Sequence, residues 1–188
     1  MKRYIRAGIC LIYSLIKFSL IKLFHMKNFR FTVLNLISPF TEIEIGKRAK
    51  LLLGKMVRAR SGVKIKVRNG AEVQIGDNTS LNHGCMIISH ENIIIGKNVQ
   101  FGPGVLIYDH DHDFRAKNGL KELKYKTSPV EIGDNVWIGA NTVILRGTRI
   151  GHNCVVGAGS VINGEFADHM VILQKRKTIE QRIDGDRL

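Results

Sequence analysis

IGDNVWIGANTVILRGTRIGHNCVVGAGSVI, residues 132–162, places an apolar residue at every sixth position without a miss: Ile132, Ile138, Ile144, Ile150, Val156 and Ile162. This period is neither the 3.6 of an amphipathic helix nor the 2 of a half-buried strand. Gly follows the apolar residue at 133, 139, 151 and 157, and the fifth residue of each hexad is small or β-branched: Val136, Thr142, Thr148, Cys154 and Ser160. Each hexad therefore reads as one short strand and one tight corner.

The spacing recurs upstream. Ile75, Leu81 and Ile87 keep it, Ile95, Phe101 and Ile107 keep it again, and Ile45, Leu51, Val57 and Val63 form a looser version. A solenoid of short parallel strands satisfies the pattern: three hexads close one triangular coil, the apolar residue points inward, and coils stack at the inter-strand spacing of a sheet, about 4.8 Å. Over roughly residues 43–163 the chain is predicted to form such a prism. The repeat specifies architecture and is silent about chemistry.

Composition agrees with a single folded unit. The 188 residues are 44% hydrophobic and 24% charged, which excludes an intrinsically disordered chain and a polytopic membrane protein, and the length excludes a large multidomain enzyme. Three cysteines, Cys10, Cys85 and Cys154, are too few and too scattered for a disulfide framework or a zinc ribbon, and they point to a reducing cytoplasm. The net charge is +13: Lys2, Arg3, Arg6, Lys17, Lys22, Lys27 and Arg30 all precede the first acidic residue, Glu42, and Lys175, Arg176, Lys177, Arg182 and Arg187 lie near the other end. No aromatic residues are interleaved with the basic runs as base stacking on nucleic acid requires, so no nucleic-acid partner is expected.

The N-terminal stretch is apolar but interrupted by Lys17 and Lys22, short of the roughly 20 uninterrupted apolar residues of a spanning helix, and no small-x-small site marks it as a signal peptide. Two readings remain for residues 1–30. A basic, apolar helix suits peripheral association with the cytoplasmic face of a membrane; the same helix suits packing on the domain or on a sister subunit.

The hexad rule lapses between Ile107 and Ile132, where 25 residues pass instead of a multiple of six. The extruded stretch opens with Asp109-His110-Asp111-His112-Asp113. Read from composition alone, DHDHD is a solvated polar loop or a metal-binding tract; its position at the break in the repeat favours a functional role, because a rigid scaffold fixes the base of a loop and leaves its tip to meet a partner. Imidazole, with an ordinary pKa of about 6.5, suits proton abstraction from a hydroxyl near neutral pH.

Two segments carry a family resemblance. Residues 132–162 and GPGVLIYDHDHDF, residues 102–114, resemble the hexapeptide-repeat acyltransferases, in particular their galactoside, maltose and polysaccharide O-acetyltransferase branch. The resemblance implies a mainly β fold, a left-handed parallel β-helix over 41–164 with an extruded loop at 108–129; residues 1–40 read as a basic amphipathic helical segment, and a short C-terminal helix is expected within 165–188. It implies a homotrimer that uses acetyl-CoA as acyl donor, with no metal required, and a sugar or glycan acceptor, in keeping with cell-surface polysaccharide biosynthesis. Within it, His112 takes the place of the general base, with His110 as the fallback, and Asn82 falls where an amide helps to hold the acceptor and the developing oxyanion. Read without the family, Asn82 is a corner residue in a slot where other hexads carry Gly. His90 lies near acceptor-binding positions. Trp137, Ala140, Gly157 and Ala158 match positions along the pantetheine arm, and Lys175, Arg176 and Lys177 are candidates for the coenzyme phosphates or a solvated basic tail. One departure stands out: the stretch after the last coil lacks the Pro-containing turn of relatives and is predicted to run as a helix over 174–183.

Two other classes share the prism. A zinc enzyme of the carbonic-anhydrase type would enlist His83, His110 and His112, since three His and one open position make a catalytic zinc site. A non-catalytic scaffold at a membrane surface would bind no coenzyme.

Overall fold

The computed structural model describes residues 2–175, 177, 179 and 180. Helix α1 (Lys2–Phe24) leads into a parallel β-solenoid of about six coils. Coil 1 is β1 (Phe29–Arg30), β2 (Leu36–Ile37) and β3 (Glu42–Ile45); coil 2 is β4 (Lys50–Leu53), β5 (Arg58–Ala59) and β6 (Lys64–Val67); coil 3 is β7 (Glu72–Ile75), β8 (Ser80–Leu81) and β9 (Met86–Ser89); coil 4 is β10 (Asn92–Ile95), β11 (Gln100–Phe101) and β12 (Leu106–Tyr108). A hairpin, β13 (His110–His112) and β14 (Tyr125–Thr127), then leaves the prism. Coil 5 is β15 (Val130–Ile132), β16 (Trp137–Ile138) and β17 (Val143–Ile144); coil 6 is β18 (Arg149–Ile150), β19 (Val155–Val156) and β20 (Val161–Ile162); β21 (Glu165–Phe166) and β22 (Val171–Ile172) start a seventh. The first, second and third strands of successive coils build sheets A, B and C, the three faces of the prism.

The inward ladder is the hexad. On sheet A, Leu53, Ile75, Ile95, Ile132, Ile150 and Phe166 pair rung on rung. Complete burial of an aliphatic side chain of this size contributes about 1.5–3 kcal/mol. Fifth-position hydroxyls are buried too and bond to backbone: Thr79 Oγ1 donates to the Gly96 carbonyl at 2.8 Å and Ser160 Oγ to that of Gly157 at 2.7 Å. Coil-to-coil approach explains the glycine that follows inward residues such as Ile75, Ile95, Ile132, Ile138 and Ile150. A Cβ on Gly96 would lie 2.6 Å from the Gly133 carbonyl. Corners are turned by Asn in the left-handed region, and these stack as well: Asn98 Nδ2 donates to Asn135 Oδ1 at 2.9 Å, and Asn135 Nδ2 to Asn153 Oδ1 at 3.2 Å.

The looser N-terminal run is out of register with the rest. Leu53, Ala59 and Ile65 occupy the rungs of Ile75, Leu81 and Ile87, whereas Val57 and Val63 are buried fifth-position residues. Both inward positions recur every six residues, so a count of spacings alone does not tell them apart. The early coils are also longer than three hexads, since Phe29 pairs with Leu51 and Leu51 with Val73, and the surplus sits between β3 and β4 and between β6 and β7. The solenoid accordingly starts at Phe29, twelve residues before the expected 41.

The far end differs as well. Residues 165–172 form strands β21 and β22, and the described residues from 173 to 180 contain no helix. The expected C-terminal helix is replaced there by continued coiling, because Phe166 and Ile172 still fit the inward ladder. Arg176, Thr178 and residues 181–183, the rest of that expectation, lie outside the described residues.

Helix α1 covers the open edge of coil 1. Four of its polar side chains face that edge: Ser14 Oγ accepts from Ile37 N at 2.8 Å, Tyr13 donates to the Pro39 carbonyl at 3.2 Å, Lys22 donates to the Phe29 carbonyl at 2.7 Å, and Lys17 donates to the Thr41 carbonyl. Phe18 is buried edge-on against Phe29 and Phe31. An uncovered strand edge is a template for pairing with other chains, and the helix removes it.

Candidate active site

The predicted site residues fall on two different corners of the prism. His90, His110 and His112 lie at the C–A corner, where chain leaves sheet C for sheet A. Asn82, Ala140, Gly157 and Ala158 lie in the B–C turns of coils 3, 5 and 6, with Trp137 on the adjoining face of sheet B, 58% exposed. One chain does not bring the two groups together.

The C–A corner is built around Asp109, which has no solvent exposure. Its Oδ2 accepts from Ser89 Oγ at 2.6 Å and Glu91 N at 2.9 Å, and its Oδ1 accepts from His90 N at 2.8 Å and lies 3.1 Å from His110 Nδ1. Burial alone would raise the carboxyl's pKa. The hydrogen bonds from His110, Ser89 and the two backbone amides outweigh it and hold the group below its ordinary range. Asp109 thus stays ionised and holds the His110 ring through Nδ1.

The hairpin folds back over this corner. His112 pairs with Tyr125 across β13 and β14, its ring 4.7 Å from that of Tyr125, and it is solvent-exposed. His90 stacks 4.0 Å from both His110 and Tyr125. Burial, followed by the neighbouring His110, pushes the His90 pKa down to about 4, so this ring is neutral at physiological pH. The base of the hairpin is pinned by Arg146 Nε on Asp111 Oδ2 at 2.5 Å and by Lys126 on Asp113 at 3.3 Å. Together the rings line one side of an open cleft of about 630 Å³, whose other side includes Glu44 and Arg68, themselves ion-paired at 3.2 Å, and Asn69. The cleft is polar and rich in donors and acceptors, as a sugar would require.

Tyr125, Glu44 and Arg68 of the cleft, and Asp109 buried behind it, are the residues that sequence reasoning left without a firm role. Asp109 carried a signal: it is the acid at the step where the hexad lapses. Tyr125 and Arg68 carried none, since only the antiparallel return of the hairpin and the stacking of coil 2 bring them to His90.

Asn82 Oδ1 accepts from His83 N at 2.9 Å, and the left-handed corner residue of that turn is Gly84, so Asn82 does not stand in for an αL glycine. His83 Nδ1 lies 2.8 Å from Ser61 Oγ on the B–C side, on a different corner from His110 and His112. Among the described residues no group of three His, Cys, Asp or Glu is arranged to hold a metal ion. The three-His set of the zinc reading is therefore not assembled within one chain.

Comparison with known proteins agrees with the repeat. The family described as Bacterial transferase hexapeptide (six repeats) is matched over residues 129–164. The galactoside O-acetyltransferase of Escherichia coli is 36% identical over 101 residues, 52% of this chain and 47% of that protein. Its counterpart in Lactococcus lactis is 30% identical over 109 residues, 58% and 52%. The crystal structure of a hexapeptide-repeat-containing acetyltransferase from Vibrio cholerae aligns with a TM-score of 0.51 at 26% identity, covering 66% of this chain and 65% of that one. The chain spans about half the length of the curated relatives it matches.

Proposed function

We propose that the protein is an acetyl-CoA-dependent O-acetyltransferase that acts on a sugar hydroxyl, with the C–A cleft as its acceptor side. The observation that carries the reading is the DHDH hairpin, extruded where a hexapeptide solenoid breaks its repeat and closed over a polar cleft beside a buried, ionised Asp109. The names of the relatives support the reaction class, and the E. coli and L. lactis proteins are named for galactosides.

In this reading an imidazole nitrogen takes the proton from the acceptor hydroxyl as its oxygen attacks the thioester carbonyl. The C–O bond forms, the C–S bond breaks, and the proton passes to the leaving thiolate. An amide donor such as that of Asn82 stabilises the intermediate oxyanion. Position in the motif assigns the base to His112. The Asp109–His110 contact favours His110 as a second reading, because a buried carboxylate on Nδ1 fixes the tautomer whose Nε2 accepts a proton.

The two-corner layout supports a homotrimer. His112 of one prism and Asn82, Trp137 and Ala140 of another come to share one site only if prisms stand side by side, C–A corner against B–C corner.

Calorimetry with coenzyme A and acetyl-CoA tests the reading without knowledge of the acceptor. Saturable binding that His112→Ala retains, together with loss of transfer to sugars in that variant, is expected. A folded protein that binds neither ligand overturns it.

A further inference from the structure

The outer face of α1 is the surface that no part of the acetyl-transfer reading uses. Ile5, Ile9, Ile12, Ile16, Leu20 and Leu23 recur at three- and four-residue spacing and are each 55–67% exposed. The row runs for about 27 Å at the 1.5 Å rise of an α-helix. Lys17 and Lys22, which interrupt the segment in sequence, are turned the other way, onto the carbonyls of coil 1. Phe40, 78% exposed, lines a shallow cleft with Ile5 and Ile9 and widens the apolar surface. The helix is long and apolar enough to cross a membrane, yet in this fold it lies against β1 and β2, with Ser14 and Phe18 buried there.

The charge of the molecule is concentrated at the same end. Residues 1–68, which are α1 and the first two coils, hold sixteen Lys and Arg against two Asp and Glu; the remaining 120 residues hold thirteen against fourteen. The only two acids of that end, Glu42 and Glu44, are ion-paired to Lys64, Lys66 and Arg68. Two coils stack within about 10 Å, so these cations stand within about one Debye length of the covered end.

We infer that the outer face of α1 docks on an anionic lipid surface, with the helix lying in the plane of the interface. The apolar row enters the boundary between headgroups and acyl chains, and the cations of the first two coils face the headgroups. A second copy of the chain is the poorer occupant, because pairing two such faces would bring two strongly cationic ends together. A spanning helix is poorer too: it would strip Ile37 N of its Ser14 acceptor and draw Lys17 and Lys22 into hydrocarbon. The inference does not depend on acetyl transfer. If the two hold together, the cleft, which begins at Glu44 on coil 1, opens close to the lipid and meets an acceptor carried on it.

Flotation of the full-length protein with vesicles tests this, using equimolar phosphatidylcholine and phosphatidylglycerol beside phosphatidylcholine alone. The wild type is expected to float with the anionic vesicles, less so at high salt, and Ile9→Asp/Ile16→Asp to lose at least about tenfold in binding. Both substitutions are on the exposed row, and an unchanged melting temperature and unchanged coenzyme A affinity establish that the variant is folded. Failure of the wild type to float, equal flotation of the folded variant, or resistance of membrane-bound protein to alkaline carbonate each overturns the inference. So does loss of self-association in the variant when the wild type ignores lipid, which assigns the face to a second copy. A chain that floats but binds no coenzyme A leaves lipid docking intact and refutes the acyltransferase reading alone.

Discussion

Asp109 and His110 are consecutive residues, yet the carboxylate reaches back to the imidazole Nδ1 at 3.1 Å while the same two oxygens gather Ser89 Oγ and the amides of His90 and Glu91. The chain bends at Asp109 as it leaves the prism. Every contact is with a donor, so the site suits a carboxylate and not its amide.

Asp109→Asn sets an NH2 group against a donor at a fully buried position. The expected loss is about 1–3 kcal/mol of stability. In the second reading, where His110 is the base, Asp109 acts through it and transfer should slow, whereas with His112 as base kcat changes little; in both, the affinity for coenzyme A, bound at another corner in the proposed arrangement, is unchanged, and thermal melting and the split between kcat and KM check this.

His112→Ala and His110→Ala separate the two candidate bases. Loss of the general base lowers kcat by roughly 10²- to 10⁴-fold. The proposal expects the larger loss at His112; a larger loss at His110 together with a changed pH–rate profile moves the assignment to the Asp109-held ring.

The depressed pKa of His90, about 4 against an ordinary 6.5, makes stability depend on pH. The folded state resists a proton that the unfolded chain takes up below about 6.5. The stability is therefore intact above pH 6.5 and is lost progressively as pH falls toward 4. Around the ring, His110, His112 and Arg68 oppose protonation and Asp109 favours it. Melting temperatures of wild type and His90→Gln measured across pH 7 to 4 should converge on the acid side, because the variant has no such group to titrate.

Gly96→Ala places a methyl 2.4 Å from Asp134 Oδ1 and 2.6 Å from the Gly133 carbonyl. Separation of coils 4 and 5 is the only relief, and a loss of about 1–3 kcal/mol is expected. Gly8→Ala meets nothing within 4 Å on α1 and should add about 0.5–1 kcal/mol. Denaturant melts of the two variants should shift in opposite directions.

Ser14→Ala removes the acceptor for Ile37 N at the buried edge of coil 1. A loss of about 1–3 kcal/mol follows from one unsatisfied buried amide, and hydrogen exchange should show it at Ile37 before the inner coils.

The hexads from Ile132 to Ile162 were legible because each rung repeats the same physical demand, an apolar side chain inward, and four of the six add a glycine where the next coil closes in. The early coils blurred this. Their extra residues at the C–A corner broke the count, and Val57 and Val63 satisfied the period from the other inward position. The C-terminal strands were missed for a similar reason, since Phe166 follows Ile162 by four residues and breaks the count before Ile172 resumes it. At the site, the DHDH run marked the corner, but the cleft depended on partners from coils 1 and 2 and on the return of Tyr125, which no local pattern encodes. The two faces of α1 were blended in sequence for the opposite reason: Lys17 and Lys22 look like breaks in an apolar stripe until they are seen to bond to coil 1.

Ile93, Phe101 and Ile107 of coil 4 stack on Val130, Ile138 and Ile144 of coil 5 in unbroken register, although the hairpin intervenes. The scaffold closes beneath its own insertion as though nothing had been added. The length and chemistry of that insertion are consequently released from the folding problem once its two feet are kept: a different hairpin grafted between Asp109 and Ser128 would reshape the cleft without asking the prism to be redesigned, and the protein is in this sense a socket with an exchangeable fitting.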